Sequence, residues 1–306
     1  MTRQTKEMRH VYRDFLAEVS DSHPQVAALE ADLSSSMATN NLSQRLGKRF
    51  VNLGIMEAQM IGLGAGLAVK GYHPYIHTFG PFASRRVFDQ LFISLGYAQL
   101  QATIIGSDAG VSAEMNGGTH MPFEDLGLLR LVPKATVYEV SDDIQFEAVL
   151  QETLSISGLS YIRTIRKKPL PIYEAGEDFS QGYKVLRSGK DATIVASGIM
   201  VAKAMEAAEL LSEKGKEVEV VDLFRIKPLP ESSIANLIGK TIVTVENHNQ
   251  IGGLGSAICE ALSTEKNTSV TRMGVKESFG QVGKSDYLLD VYGLSTNHIV
   301  ETVMSL

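Results

Sequence analysis

The residue with the most chemical promise is an acid in apolar company. In Asn52–Met60, reading N-L-G-I-M-E-A-Q-M, Glu57 precedes a run, Ile61–Val69, that carries no charge. Gly54 stands where a helix N-cap would fall, which puts Glu57 at the N3 position. A helix that is apolar or small on every side is a buried one, and Glu57 shares a face with Ile61, Gly64 and Ala68. An apolar surrounding favours the neutral, proton-holding form of a carboxyl, whereas a helix N-terminus favours the anion. A carboxyl so placed can pass a proton to a ring nitrogen packed against it. Glu at N3 can equally do no more than bond back to the N-cap amide, and spacing alone leaves both roles open.

Other candidates are weaker. The glycine-punctuated stretch Ser107–Pro122 (S-D-A-G-V-S-A-E-M-N-G-G-T-H-M-P) holds His120, and a lone histidine in such a loop serves a surface as readily as a site. Asn247–Ser256 (N-H-N-Q-I-G-G-L-G-S) joins a strand to a helix through glycines, as phosphate loops do. It matches G-x-G-x-x-G imperfectly and no Lys-Ser/Thr follows, so close backbone packing is the default. Cys259, among Ala257, Ile258, Ala261 and Leu262, reads as a buried helix thiol rather than a nucleophile.

The elements that must position these residues alternate. A helix over Arg9–Val19 leads to an apolar segment, Ala27–Leu33, and a polar loop, Ser34–Asn41. Lys70-Gly71 ends the Glu57 helix. Strands follow at Pro74–Thr78, Ala102–Gly106, Ala135–Val140 and Tyr161–Ile165, with a long helix over Phe82–Leu100. A further helix runs to about Leu154, opened by Asp142 with Gln145 at capping-box spacing. Lys167–Gly182 loses periodicity and carries Pro169, Pro171, Gly176 and Gly182. Beyond it come strands at Ala192–Ser197, Val218–Asp222 and Thr241–Val245, with helices over Val201–Lys214 and Gly253–Leu262. The expected fold is two doubly wound α/β domains with mostly parallel sheets, over 1–170 and 184–306, joined by a linker at 171–183. The length of 306 residues suggests about two domains.

Composition narrows the function. Net charge is −6 with no compensating basic stripe, which disfavours a nucleic-acid partner. The longest apolar run is about ten residues, short of the roughly 18 that span a membrane. The charged start lacks the apolar segment of a secretory signal, so the expected compartment is the cytoplasm.

Four stretches in order, Gly54–Val69, Ser107–Pro122, Val221–Pro228 (V-D-L-F-R-I-K-P) and Phe279–Val291, resemble the C-terminal half of transketolases. More closely, the chain is similar to the shorter subunit of a transketolase split into two polypeptides. The resemblance covers essentially the whole chain and implies a thiamine-diphosphate pyrimidine-binding domain followed by the family's C-terminal domain. It implies that Glu57 bonds N1′ of the thiamine aminopyrimidine and starts the relay that activates the cofactor. Ile55 matches the apolar residue that props the cofactor in its bent shape, and Phe79 and Phe82 match the aromatics packed on the pyrimidine. Arg85 stands where a further aromatic is usual.

The resemblance also assigns the substrate side. His120 matches the histidine that bonds the donor ketose near its carbonyl, and Asn116 stands where an aspartate usually reads a donor hydroxyl. Arg9, Ser36 and Arg166 match sugar-phosphate contacts, all of suitable type. Asp108 replaces a histidine that approaches that phosphate, and an anion there repels a phosphate unless a cation intervenes. A branched, modified or sulfonated sugar is therefore a live substrate class beside the usual sugar phosphates. The chain lacks the G-D-G motif that holds diphosphate and metal. The implied partner is an N-terminal diphosphate-binding subunit, in an α2β2 assembly, holding Mg2+ or Ca2+. The β subunit of a 2-oxo acid dehydrogenase E1 component, or a non-catalytic scaffold subunit, are the other readings.

Overall fold

The computed structural model describes residues 3–306. Twelve strands alternate with helices: β1 (Val26–Glu30), β2 (Phe50–Asn52), β3 (His73–Phe79), β4 (Ala102–Ser107), β5 (Thr136–Glu139), β6 (Leu159–Arg163), β7 (Lys184–Arg187), β8 (Ala192–Ala196), β9 (Val218–Asp222), β10 (Arg225–Lys227), β11 (Thr241–Asn249) and β12 (Ser269–Val275). They form two sheets, one ordered β10-β5-β6-β4-β3-β1-β2 and the other β12-β11-β8-β9-β7. Every pairing is parallel except those of β10 with β5 and β7 with β9. Strands β1, β3, β4, β6, β8 and β9 are buried along their whole length. That is the near-continuous apolar signature of strands covered on both faces.

The two-sheet α/β architecture agrees with the alternation in the sequence, and several local expectations need correction. Met56, not Gly54, is the N-cap of the Glu57–Val69 helix, which makes Glu57 its first residue. Gly54 instead takes a positive φ of 74° in the turn that enters the helix, a conformation that suits glycine. The helix is not covered all round either. Met60, Ile61, Gly64 and Ala65 pack on the sheet, while Ala58, Gly62, Gly66 and Val69 form an exposed stripe.

No continuous helix spans Phe82–Leu100. A turn of helix, Gly80–Ala83, is followed by short 3-10 and α turns and by a π-helical segment, Leu91–Tyr97. The break falls at Ser84, whose hydroxyl donates to the Gly80 carbonyl at 2.7 Å and whose backbone leaves the helical region. A serine hydroxyl competing for the i−4 carbonyl favours such departures. Cys259 is half-buried rather than buried. Asp142 caps its helix as its spacing with Gln145 predicts, accepting from the Gln145 amide at 3.0 Å.

Candidate active site

Ligands of open parallel sheets bind beyond the carboxyl ends of the strands, at a switch in strand order. Glu57 follows β2, Phe79 ends β3 with Phe82 just beyond, Asp108 follows β4 and Arg166 follows β6. All lie at that end of the first sheet, where β1 lies between β2 and β3.

These residues form one continuous line. Arg86 Nη1 donates to Glu57 Oε1 at 2.6 Å, and the Arg86 guanidinium lies 3.6 Å over the Phe82 ring. His120 meets Phe82 and Phe79 edge-on, with ring centroids 5.2 and 5.8 Å away. The Arg166 guanidinium lies 4.9 Å over Phe79 and grips both oxygens of Asp108 at 2.8 Å each. The acid is thus buried, at 4% exposure, but not alone. An ion pair replaces the solitary carboxyl expected from the sequence, and it leaves Glu57 Oε2 without a hydrogen bond among the described residues. The cation that Asp108 required is Arg166.

Other expected site residues divide. Arg9 joins the line through its backbone, its amide donating to the Arg166 carbonyl at 3.2 Å, while its Nε donates to Glu7 at 2.6 Å. Ile55 is 72% exposed, a large apolar side chain standing in solvent beside Glu57. Asn116 is exposed and Ser36 half-buried in the turn after β1, and neither side chain makes a hydrogen bond among the described residues. The structure therefore does not draw those two into the line.

The loop carrying Asp108 and His120 is held from behind by the second half of the chain. Asn247, fully buried on β11, accepts from the Val111 amide at 3.0 Å and donates to the Ala109 carbonyl at 2.9 Å. A Cβ on Gly110, which has a positive φ of 48°, would lie 2.2 Å from Asn247 Oδ1. Ser285 Oγ donates to Glu114 at 2.7 Å, and a Cβ on Gly118 would lie 2.1 Å from the Gly280 carbonyl. Arg85 donates to Glu124 at 2.5 Å and to the Thr119 carbonyl at 3.0 Å, next to His120.

Sequence reasoning missed three buried polar groups. Ser107, His77 and Glu30 line up with His77 Nε2 3.0 Å from Ser107 Oγ and Nδ1 2.8 Å from Glu30. The order resembles a nucleophile, base and orienting acid. All three are 1% exposed or less, so no substrate reaches the serine and the set serves to tie β1, β3 and β4 together. Arg163, also fully buried, is paired with Asp125 and Glu139 and donates to the Asn247 carbonyl at 2.9 Å. The third is Glu246, whose carboxylate accepts from the Leu254 and Gly255 amides at 2.7 and 3.0 Å. That fills the helix N-terminus at which Asn247–Ser256 offered a phosphate loop, and close packing prevails there. Burial pushes Glu246 up to about 7. The signal available for all three was a charged residue inside an otherwise apolar strand.

An acid whose arginine partner lies over an aromatic ring, at the carboxyl end of a parallel sheet, is chemistry suited to a flat heteroaromatic ring, and the residues present fit an aminopyrimidine. Comparison with known proteins gives the family. Residues 4–169 match the model of the transketolase pyrimidine binding domain and residues 182–299 that of the transketolase C-terminal domain. The chain belongs to the transketolase family, which implies use of thiamine diphosphate.

Among its relatives, the 6-deoxy-6-sulfo-D-fructose transketolase subunit SqwH of Clostridium sp. (strain MSTE9) is 42% identical over 296 residues, covering 96% of this chain and 92% of that one. A putative transketolase C-terminal section from Methanocaldococcus jannaschii is 34% identical, covering 98% and 96%. A split gene transketolase solved as an inactive beta4 tetramer superposes with a TM-score of 0.88 at 36% identity, over 98% of each chain. Single-chain transketolases are about twice as long. The Campylobacter jejuni enzyme shares the fold with a TM-score of 0.82 at 21% identity, and the match covers 47% of it. These relatives do not favour the 2-oxo acid dehydrogenase reading.

Proposed function

We propose that this chain is the pyrimidine-binding subunit of a split transketolase, moving a two-carbon ketol unit from an anionic ketose to an aldose. The observation that carries the reading is the unbroken line from Glu57 through Phe82, His120 and Phe79 to Arg166. Thiamine diphosphate, when bound, supplies the carbon nucleophile that accepts the ketol unit. Glu57 holds and returns a proton at Oε2, the oxygen that Arg86 leaves free, toward N1′ of the pyrimidine. Phe79 and Phe82 fix that ring by stacking, and Ile55 supports it from the solvent side. His120 orients the donor near its carbonyl and Asn116 reads one of its hydroxyls. Arg9, Ser36 and Arg166 receive its anionic tail.

A diphosphate-binding partner subunit, in an α2β2 assembly, would complete the site and hold Mg2+ or Ca2+. Support for a partner comes from the exposed stripe of the Glu57 helix together with Ile55, Met56 at 56% exposure and Val69 at 68%, since contiguous apolar surface marks an interface. The split relatives, matched nearly end to end, support it too.

The test is proton–deuteron exchange at C2 of thiamine diphosphate bound to the reconstituted complex. Glu57→Ala should abolish that exchange and leave cofactor retention measurable by equilibrium dialysis. Exchange at the wild-type rate in the variant would end the proposal.

A further inference from the structure

We propose that Arg85 is a positioning residue for the donor step: its guanidinium staples the turn that carries His120 and so sets where the imidazole stands. The inference rests on the ketol-transfer reading above and deepens it.

His120 has little of its own to hold it. It ends a single 3-10 turn, Gly118–His120, entered through Gly117 at a positive φ of 74°, and two successive glycines leave the backbone there free to swing. Its ring makes one hydrogen bond among the described residues, Nδ1 meeting the hydroxyl of the neighbouring Thr119 at 2.9 Å. A cavity of about 710 Å³ opens beside the turn, so packing does not fix it from that side. The turn cannot be continued either. Pro122, three residues after Thr119, has no N–H to offer the Thr119 carbonyl.

Arg85 supplies what is missing. Its Nη2 donates to the Thr119 carbonyl at 3.0 Å and its Nη1 to Glu124 at 2.5 Å. Glu124 is itself fixed, accepting from the Phe123 amide at 2.8 Å. Both arms of the fork thus land on one short segment, on either side of His120. The His120 amide donates to the Gly117 carbonyl at 3.0 Å, so the peptide joining Thr119 to His120 is held at its carbonyl and at its amide. A planar fork can bridge a carbonyl and a carboxylate at once, which the point charge of a lysine cannot do as well. The adjacent Arg86 goes to Glu57 instead. The break at Ser84 therefore sends two successive arginines to the acid and to the turn that carries the histidine.

The experiment compares Arg85→Met and Arg85→Lys with wild type. Hydrogen exchange at the His120 amide of the full chain should quicken severalfold in both. In the complex reconstituted with its partner subunit the donor is 6-deoxy-6-sulfo-D-fructose or fructose 6-phosphate, whichever wild type uses faster. Its kcat/KM should fall about tenfold to hundredfold, nearly as far for lysine as for methionine. Exchange at C2 of thiamine diphosphate should stay within about twofold of wild type, because Glu57 and Arg86 are untouched. In a His120→Ala background, Arg85→Met should cost less than about twofold more. Loss of C2 exchange would put Arg85 on the cofactor and overturn the inference. So would an undiminished Arg85→Met loss in the absence of His120, or amide exchange and donor turnover unmoved by either substitution. Each of these leaves ketol transfer standing. A wild-type complex that exchanges C2 but turns over no ketose overturns both.

Discussion

The contact between Arg86 and Glu57 is the feature of the site that can be measured without cofactor or partner. Two unit charges 2.6 Å apart attract by about 1.6 kcal/mol with the screening of bulk water and by about 6 with the effective screening near a protein surface. Arg86 is 43% exposed at its side chain and Glu57 only 5%, so solvent screens one end of the pair and the lower figure is the nearer. The cation over Phe82 adds about 0.5–1 kcal/mol to the Arg86 side alone. The coupling between the two charges should therefore be about 1.5–3 kcal/mol. Glu57→Ala, Arg86→Ala and the double variant, compared with wild type by urea unfolding of the isolated chain, close the cycle. Arg86→Ala should cost more than Glu57→Ala restores, because it leaves a buried carboxylate without a partner. A coupling below about 0.5 kcal/mol would refute the pairing, and with it the claim that Glu57 presents one oxygen to a ligand while Arg86 holds the other.

Two further outcomes follow from the buried groups. Asn247→Ala strands the Val111 amide, at about 1–3 kcal/mol, while the Ala109 carbonyl still accepts from the Ser112 amide and hydroxyl, so it should destabilise the chain by about 1–3 kcal/mol and abolish amide protection at Val111 in hydrogen exchange. Protection unchanged at Val111 would mean the loop is held by other contacts. For Glu246 the folded value of about 7 lies above an unfolded value of 4.5. The folded state therefore binds more protons between those values, and this group's contribution to stability falls as pH rises from about 4.5 to 7. Glu246→Gln lacks the titration, so it should gain on wild type by about 2–3 kcal/mol between pH 5 and pH 8. Parallel pH profiles of the two proteins would contradict this.

What the sequence made legible was local. Apolar runs such as Ala102–Gly106 and Ala192–Ser197 announce covered strands whatever their neighbours are, and Asp142 with Gln145 announces a helix start. Glu57 and His120 were legible as residue types in unusual company. What stayed hidden depends on partners distant in sequence. Arg86 lies 29 residues from the carboxylate it holds, and Asp108 lies 58 from its arginine. Periodicity carries no information about such pairs, so Glu57 looked solitary and Asp108 looked repulsive. The long helix expected over Phe82–Leu100 failed for a related reason. Its apolar content is that of a helix, but the Ser84 hydroxyl turns back to Gly80 and the chain bends to bring Arg86 to Glu57.

The strand β10 shows why the two halves of this chain stay together while the diphosphate-binding half can be a separate polypeptide. β10 lies within the part of the chain matched by the C-terminal domain, yet it pairs antiparallel with β5 at the margin of the first sheet. A parallel sheet ending at β5 would offer unpaired backbone groups at its edge, and β10 covers them. From the same half come Asn247 behind the loop that carries Asp108 and His120, the Asn247 carbonyl on Arg163, and Ser197, whose hydroxyl donates to Glu139 at 2.5 Å. Arg163 is buried beside Asp125 and Glu139, its partners in the same half, and parting the halves would break its bond to the Asn247 carbonyl and the bond of Ser197 to Glu139, at about 1.5–3 kcal/mol for each bond to a charged group. The exposed stripe of the Glu57 helix makes no such demand. Its residues are small and apolar, with no buried charge to strand, so that face can be completed by a surface from another chain. A split in the gene is therefore tolerable on the side of Glu57 and Ile55, and not between the sheet that carries Asp108 and the one that holds it in place.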